Sequence, residues 1–162
     1  RVTIKRCPPP AGTAHPPGVG SSFFCDQVKE GDILDVKAPA GHFYLDLEKP
    51  RPVVLISGGV GVTPMIAMAH ALIEAGDPRE IWFFFGARDG RDHMLKAEML
   101  ALATRSDRLR LHICYSKPAA ADVAGTDYQH EGRVSVALMK SLLPSSNFDY
   151  FLCGPGPFME TI

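Results

Sequence analysis

The chain has 162 residues, 46% of them apolar and 22% charged, and a formal net charge of −1. That is room for one well-buried domain, or one domain and part of another, and it excludes a disordered or fibrous chain. The near-neutral balance makes no case for nucleic acid or an anionic membrane, and no apolar run is long enough to span a bilayer; with no signal-peptide layout, the expectation is a cytoplasmic protein.

From the N-terminus, Val2-Thr3-Ile4-Lys5 alternates like a strand. Pro8-Pro9-Pro10 and Pro16-Pro17, with Gly12, Gly18 and Gly20, mark a surface loop, because proline removes backbone donors and glycine adds chain entropy. Residues 21–28 predict a short helix capped by Ser21, with Phe24 and Val28 on one face. Gly31-Asp32 is a turn between that helix and two strands, at residues 33–36 and 42–45. The opening third therefore reads as β-rich with one helix.

Lys49-Pro50-Arg51-Pro52 is the expected boundary, dividing residues 1–48 from residues 52–162. Beyond it, strands are predicted at 53–57, 81–85, 109–115 and 148–153, and helices at 63–75, about 92–103 and 134–143. Such alternation predicts a parallel sheet covered on both faces. The first helix has the fullest set of signals: Thr63 as cap, Pro64 in the first turn, and Gly76-Asp77-Pro78 at its end. Trp82 and its phenylalanine neighbours run consecutively in one strand and read as core. The chain opens inside an alternation and ends just after a fresh helix start, so it is expected to be a piece of a longer protein.

The first strand runs into Gly58-Gly59-Val60-Gly61-Val62-Thr63-Pro64. A glycine turn before a helix lets a ligand approach the backbone, and the amides opening the helix attract anions, phosphate above all. A plain tight turn is the alternative. The G-x-G-x-x-G fingerprint is only partly met, since Pro64 stands where its third glycine belongs, and the lysine of a triphosphate-binding loop is absent. The second strand leads into Gly86-Ala87-Arg88, the third ends at Tyr115-Ser116-Lys117, and the fourth at Cys153-Gly154-Pro155. In an open α/β sheet, ligands sit beyond the carboxyl ends of the strands, so these four ends converge on one rim. Cys7, Cys25, Cys114 and Cys153 are scattered and the histidines show no ligand spacing, so neither a disulfide framework nor a metal is expected.

The ordered set Gly58-Gly59-Val60-Gly61-Val62-Thr63-Pro64, Phe85-Gly86-Ala87-Arg88 and Cys153-Gly154-Pro155 with Phe158-Met159 resembles the pyridine-nucleotide half of the ferredoxin–NADP reductase family. "APAGHFYLD" and "FFFGARDGRDH" are similar to the reductase portions of flavohaemoglobins and bacterial oxygenase reductases. The resemblance implies a Rossmann-like α/β fold with a five-stranded parallel sheet in residues 52–162. Before it, the resemblance implies the remaining part of an antiparallel flavin-binding β-barrel.

Position by position, the turn from Gly59 to Thr63 is implied to hold the NAD(P)H pyrophosphate and help place the nicotinamide. Arg88 lies towards the adenosine, and Ser116 and Lys117 face the adenine ribose. Cys153 stands beside the nicotinamide on a floor shaped by Gly154 and Pro155. Thr63 and Cys153 are thus the candidate catalytic positions, acting by placement and not as base or nucleophile. "GVGSSFFCDQV" resembles the flavin domain's phosphate-binding helix start, which brings Gly20, Ser21 and Ser22 to the FAD pyrophosphate.

The implied function is electron transfer from NADH, with NADPH tolerated, through FAD to a haem of a globin domain, a [2Fe–2S] ferredoxin domain or a separate oxygenase. The lean to NADH is a reading of the residues: one lysine before a proline is a thin site for a 2′-phosphate. The family's Arg-x-Tyr-Ser flavin motif and its C-terminal aromatic segment are both missing from residues 1–162, so this piece alone is not expected to turn over. The competing reading is a non-catalytic dinucleotide-binding or regulatory electron-transfer subunit on the same fold. A third, a dehydrogenase for small alcohols, lacks the proton relay such chemistry needs.

Overall fold

The structure, a computed structural model, describes residues 2–162. The chain falls into two compact units, one up to Phe43 and one from Tyr44 to Ile162.

The first unit contains one helix, α1 (Val19–Asp26). It starts two residues before the predicted helix, behind Gly18, and Ser21 lies inside its first turn instead of capping it. The Ser21 hydroxyl is committed to the loop: it donates to the Gly18 carbonyl (3.0 Å) and accepts from the Cys7 amide (3.1 Å). A two-pronged Arg6–Asp26 pair, at 2.9 and 2.6 Å, ties the incoming loop to the far end of α1. The strands expected at residues 2–5, 33–36 and 42–45 do not form among the described residues. A ladder needs a partner for every backbone donor and acceptor, and here the alternating side chains have nothing to cover them; Ile33 is 95% exposed and Val36 85%.

The second unit is built on a five-stranded, all-parallel sheet. Its elements are β1 (Val53–Gly58), α2 (Val62–Glu74), β2 (Ile81–Ala87), α3 (Lys96–Arg105), β3 (Leu109–Tyr115), β4 (His130–Glu131), α4 (Val136–Leu142), β5 (Asp149–Cys153) and α5 (Gly156–Met159). The strand order is β4-β3-β2-β1-β5. β1 is buried along its whole length, as expected of a central strand covered on both faces. The pleat sends Val53, Leu55, Phe83 and Phe85 to one face, where they meet Met65, Ile66, Ala69 and Leu72 of α2 and Met99 and Leu102 of α3. Val54, Ile56, Trp82 and Phe84 go to the other, beneath Val134, Met139 and Phe148. Each large side chain so buried contributes about 1.5–3 kcal/mol. Among the described residues, no helix is long and apolar enough to cross a membrane.

Three boundaries differ from expectation for local reasons. A 3₁₀ turn over Gly59–Gly61 feeds straight into α2, so the helix opens at Val62 with Gly61 as its cap. Thr63 is not the cap; its hydroxyl donates back to the Val60 carbonyl at 3.2 Å. The far end closes as predicted, through Gly76 at φ +63° with bonds from the Gly76 amide to the Ile73 carbonyl and from the Asp77 amide to the Leu72 carbonyl. α3 begins later than predicted because the Asp89 carboxylate accepts from the Arg91 amide (2.9 Å) and closes its own 3₁₀ turn over Gly90–Asp92. α4 starts behind Ser135, whose hydroxyl accepts from the Leu138 amide at 3.2 Å. The two-residue β4 was not anticipated.

Candidate functional site

The carboxyl ends of β1, β2, β3 and β5 lie along one edge, because the registers pair Gly58 with Gly86, Ser57 with Cys153, and Ala87 with Tyr115. The convergence expected from the sequence is therefore present. The glycines along it do different work. Gly59 adopts φ +54°, a left-handed conformation, and a side chain there would meet nothing within 4 Å: its surroundings are open. Gly61 is buried because a methyl at its position would stand 2.1 Å from the Cys153 carbonyl oxygen. Val60 and Pro64 are half-buried beside the turn, whereas Val62 is wholly buried in the core, leaving only its backbone near the rim. The Ser57 hydroxyl, next to Cys153 across the sheet, is buried without a hydrogen-bond partner among the described residues.

On the other side of the rim, hydrogen bonds continue past the strand ends. The Ser116 amide donates to the Ala87 carbonyl (3.0 Å) and the Lys117 amide to the Arg88 carbonyl (2.8 Å), so Arg88 and Lys117 are neighbours. Arg88, Ser116 and Lys117 are exposed. Tyr115 is not at the surface: it is fully buried, stacked on Tyr128 with ring centroids 5.0 Å apart. Its hydroxyl meets His93 Nδ1 at 2.7 Å, and the His93 ring stacks on Phe85 at 4.6 Å. Burial, then the nearby Lys96 charge, lowers the His93 pKa to about 4; burial with Asp122, Asp127 and Asp89 pushes the Tyr115 phenol up to about 12. Asp122 accepts from the Ala119 amide (2.7 Å) and the Gly90 amide (3.2 Å), stitching the two loops together. The Arg91 guanidinium holds the Asp89 carboxyl below the usual carboxylate range, and Lys96 does the same for Asp127.

His93, Asp89 and Asp122 were not singled out from the sequence. Asp89 before Gly90 carried a turn signal; His93 and Asp122 carried none, since their partners come from other elements. Cys153 and Gly154 are half-buried at the end of β5, Pro155 is exposed, and Phe158 in α5 is half-buried. In the first unit, Gly20 is exposed and Ser21 half-buried, and the Ser22 hydroxyl is buried without a partner among the described residues.

Residues 55–162 match the family model for the oxidoreductase NAD-binding domain. A flavohemoprotein of Chromobacterium violaceum is 42% identical over 160 residues, which are 99% of this chain and 39% of that relative's length. The crystal structure of the flavohem-like FAD/NAD binding domain of nitric oxide dioxygenase from Vibrio cholerae O1 biovar El Tor superposes with a TM-score of 0.74 at 33% identity, over 89% of this chain and 56% of that one. Flavohemoglobin from Malassezia yamatoensis, solved with bound FAD and heme, gives a TM-score of 0.57 at 27% identity, over 70% of this chain and 27% of that one. A rim built from four parallel strand ends, on a sheet with this family match across two thirds of its length, settles the kinship: the chain belongs to the oxidoreductase NAD-binding domain family.

Proposed function

We propose that this chain is the NADH-binding part of a flavin reductase of the flavohaemoglobin kind, with residues 52–162 taking the nucleotide and residues 1–48 contributing to the flavin site. The observation that carries the reading is the shared rim with its open glycine turn. Gly59 to Thr63 put bare backbone and the first amides of α2 where a pyrophosphate fits, and Gly59 has free space above it. Arg88 takes the adenosine side. Ser116 and Lys117 take the ribose. Thr63, Cys153, Gly154 and Pro155 place the nicotinamide.

NADH fits this rim better than NADPH. Arg91 and Lys96 are already engaged by Asp89 and Asp127, and Asp122 adds further negative charge behind the loop. A 2′-phosphate therefore finds only the exposed Arg88 and Lys117 as cations, with the Asp122 carboxylate behind the loop. For the flavin, the first turn of α1 fits a phosphate: Gly20 leaves open space and the Ser22 hydroxyl awaits a partner.

Held by the first turn of α1, FAD would supply hydride acceptance from the nicotinamide and one-electron release to an acceptor. The chain's residues supply alignment and exclude water, and no side chain has to move a proton. The acceptor is proposed to be the haem of a globin domain, as the flavohaemoglobin relatives suggest, and the setting the cytoplasm, where the nicotinamide donor is made. Anaerobic titration of the FAD-loaded full-length protein, the form used in every flavin experiment below, with NADH and with NADPH tests the proposal. Bleaching of the flavin band by NADH supports it, and a band unchanged by both donors overturns it.

A further inference from the structure

Gly58, Gly86 and Gly154 have no positive φ, so their lack of a side chain answers no demand of the backbone. What it answers is space. A methyl on Gly154 would lie 2.6 Å from Phe158 Cδ1, one on Gly58 3.1 Å from Phe158 Cγ, and one on Gly86 3.6 Å from Phe158 Cε2 and 3.3 Å from Val134 Cγ2. At Gly154 and Gly58 the side where a Cβ would stand is thus taken by one aromatic ring of the same chain, whereas at Gly86 Val134 is the tight neighbour and the ring only touches. That ring belongs to the core layer of Val54, Ile56, Phe84 and Val134, which it closes at the rim.

We propose that Phe158 is a positioning residue for the nicotinamide, seated against Gly58 and Gly154 from two strand ends, and that its ring fixes the Cys153-Gly154-Pro155 turn. This rests on the reading that the turn forms the nicotinamide floor. Phe158 is held back over that turn by its own amide, which donates to the Pro155 carbonyl at 2.9 Å, as does the Met159 amide at 3.1 Å. The turn is gripped from the other side by Gly61, whose α-carbon packs on the Cys153 carbonyl. With the ring above and Gly61 below, the Cys153–Gly154 peptide has one place to lie. Without the ring, Gly154 gains both space and its native conformational freedom, and the floor loosens where the hydride must be aimed. The glycines read from the sequence as bare approaches for a ligand are, at Gly58 and Gly154, approaches for Phe158.

The test is a double-mutant cycle in the FAD-loaded protein, with Phe158→Ala, Gly154→Ala and both together, and Phe158→Leu as a milder variant. Melting temperature and anaerobic flavin reduction against NADH concentration are read for each. Displacing the ring by about 1 Å is enough to lower the limiting reduction rate by about 10-fold to 100-fold, while the NADH concentration for half-maximal rate changes far less, because the adenosine side is untouched. Phe158→Leu recovers part of the rate. Gly154→Ala alone is damaging, and adding it to Phe158→Ala costs much less, because the ring it collides with has gone and only the Gly58 nitrogen, at 3.3 Å, remains close. Costs that simply add, in melting and in rate, overturn the seat and leave the reductase reading standing. A seat confirmed by melting, with equal effects on rate and NADH dependence, overturns the positioning role. A wild-type flavin that NADH does not bleach overturns the reductase reading and with it the role at the nicotinamide, and the melting cycle then judges the seat alone.

Discussion

The two ends of the rim are held by different physics. On the β2–β3 side, the loops are joined by polar contacts: His93 to Tyr115, Asp122 to two amides, and Lys117 to Arg88 through the backbone. On the β1–β5 side, beyond the backbone ladder, the Gly61–Cys153 approach and the Phe158 ring set the geometry by volume. Hydrogen bonds tolerate small movements but answer to protonation. Close packing ignores pH and does not forgive an added methyl.

The largest effect belongs to the packed end. In Gly61→Ala the new methyl meets the Cys153 carbonyl oxygen at 2.1 Å and its carbon at 2.5 Å. Both atoms are backbone in a strand paired with β1, so no side chain can step aside. The substitution is expected to cost more than about 3 kcal/mol, above the ordinary range for overpacking, and to leave little folded protein in a urea melt. A stable Gly61→Ala variant would show that the two ends are less different than they look.

Acid should attack the polar end first. His93 at that end, and His112 further back in β3 between Trp82, Phe84 and His130, are both lowered to about 4, principally by burial, against an ordinary value of about 6.5 in the unfolded chain. Between those values the unfolded chain binds the extra protons, so stability is complete above about pH 6.5 and falls as the pH drops towards 4. By pH 5 each imidazole is expected to remove about 2 kcal/mol, read as a lower urea midpoint than at pH 7. Asp77, Asp89 and Asp127, held below the usual carboxylate range by Arg79, Arg91 and Lys96, add a second loss only below about pH 4. A midpoint that is flat from pH 7 to pH 5 would mean that these rings titrate as freely as in water.

Tyr115→Phe sharpens the comparison at lower cost. It keeps the ring stacked on Tyr128 and strands the buried His93 Nδ1, whose Nε2 already lacks a partner among the described residues. The expected loss is about 1–3 kcal/mol at pH 7. NADH affinity should fall with it while the limiting rate of flavin reduction holds, the reverse of the pattern expected at Phe158.

Most of the second unit could be read in advance because its elements announce themselves locally. β1 and β2 are unbroken apolar runs, and α2 carries its own end signal at Gly76. What could not be read depends on partners far away in the chain. The alternation at residues 33–36 has the period of a strand but no strand beside it, and two-residue β4 has a neighbour but no pattern. At the rim, four strand ends were legible from Gly58, Gly86, Tyr115 and Cys153, yet the reason for the glycines was not. Nothing near Gly58 in the chain names Phe158 as the ring it accommodates.

The smallest expected effect bears on donor choice. Lys117 is exposed and its position is set by its amide bond to the Arg88 carbonyl, so removing its side chain disturbs no packing. An exposed ion pair is worth about 0.2–1 kcal/mol, which limits the loss of nucleotide affinity in Lys117→Ala to roughly 5-fold. If the rim selects NADH, the lysine meets only the pyrophosphate and ribose common to both donors, and the two affinities fall together. Were it the partner of a 2′-phosphate, NADPH binding alone would weaken, and more steeply at low salt, where that doubly charged group is least screened. Paired titrations of the variant with NADH and NADPH at two ionic strengths separate the cases, and a selective loss of NADPH would overturn the assignment of NADH as the donor.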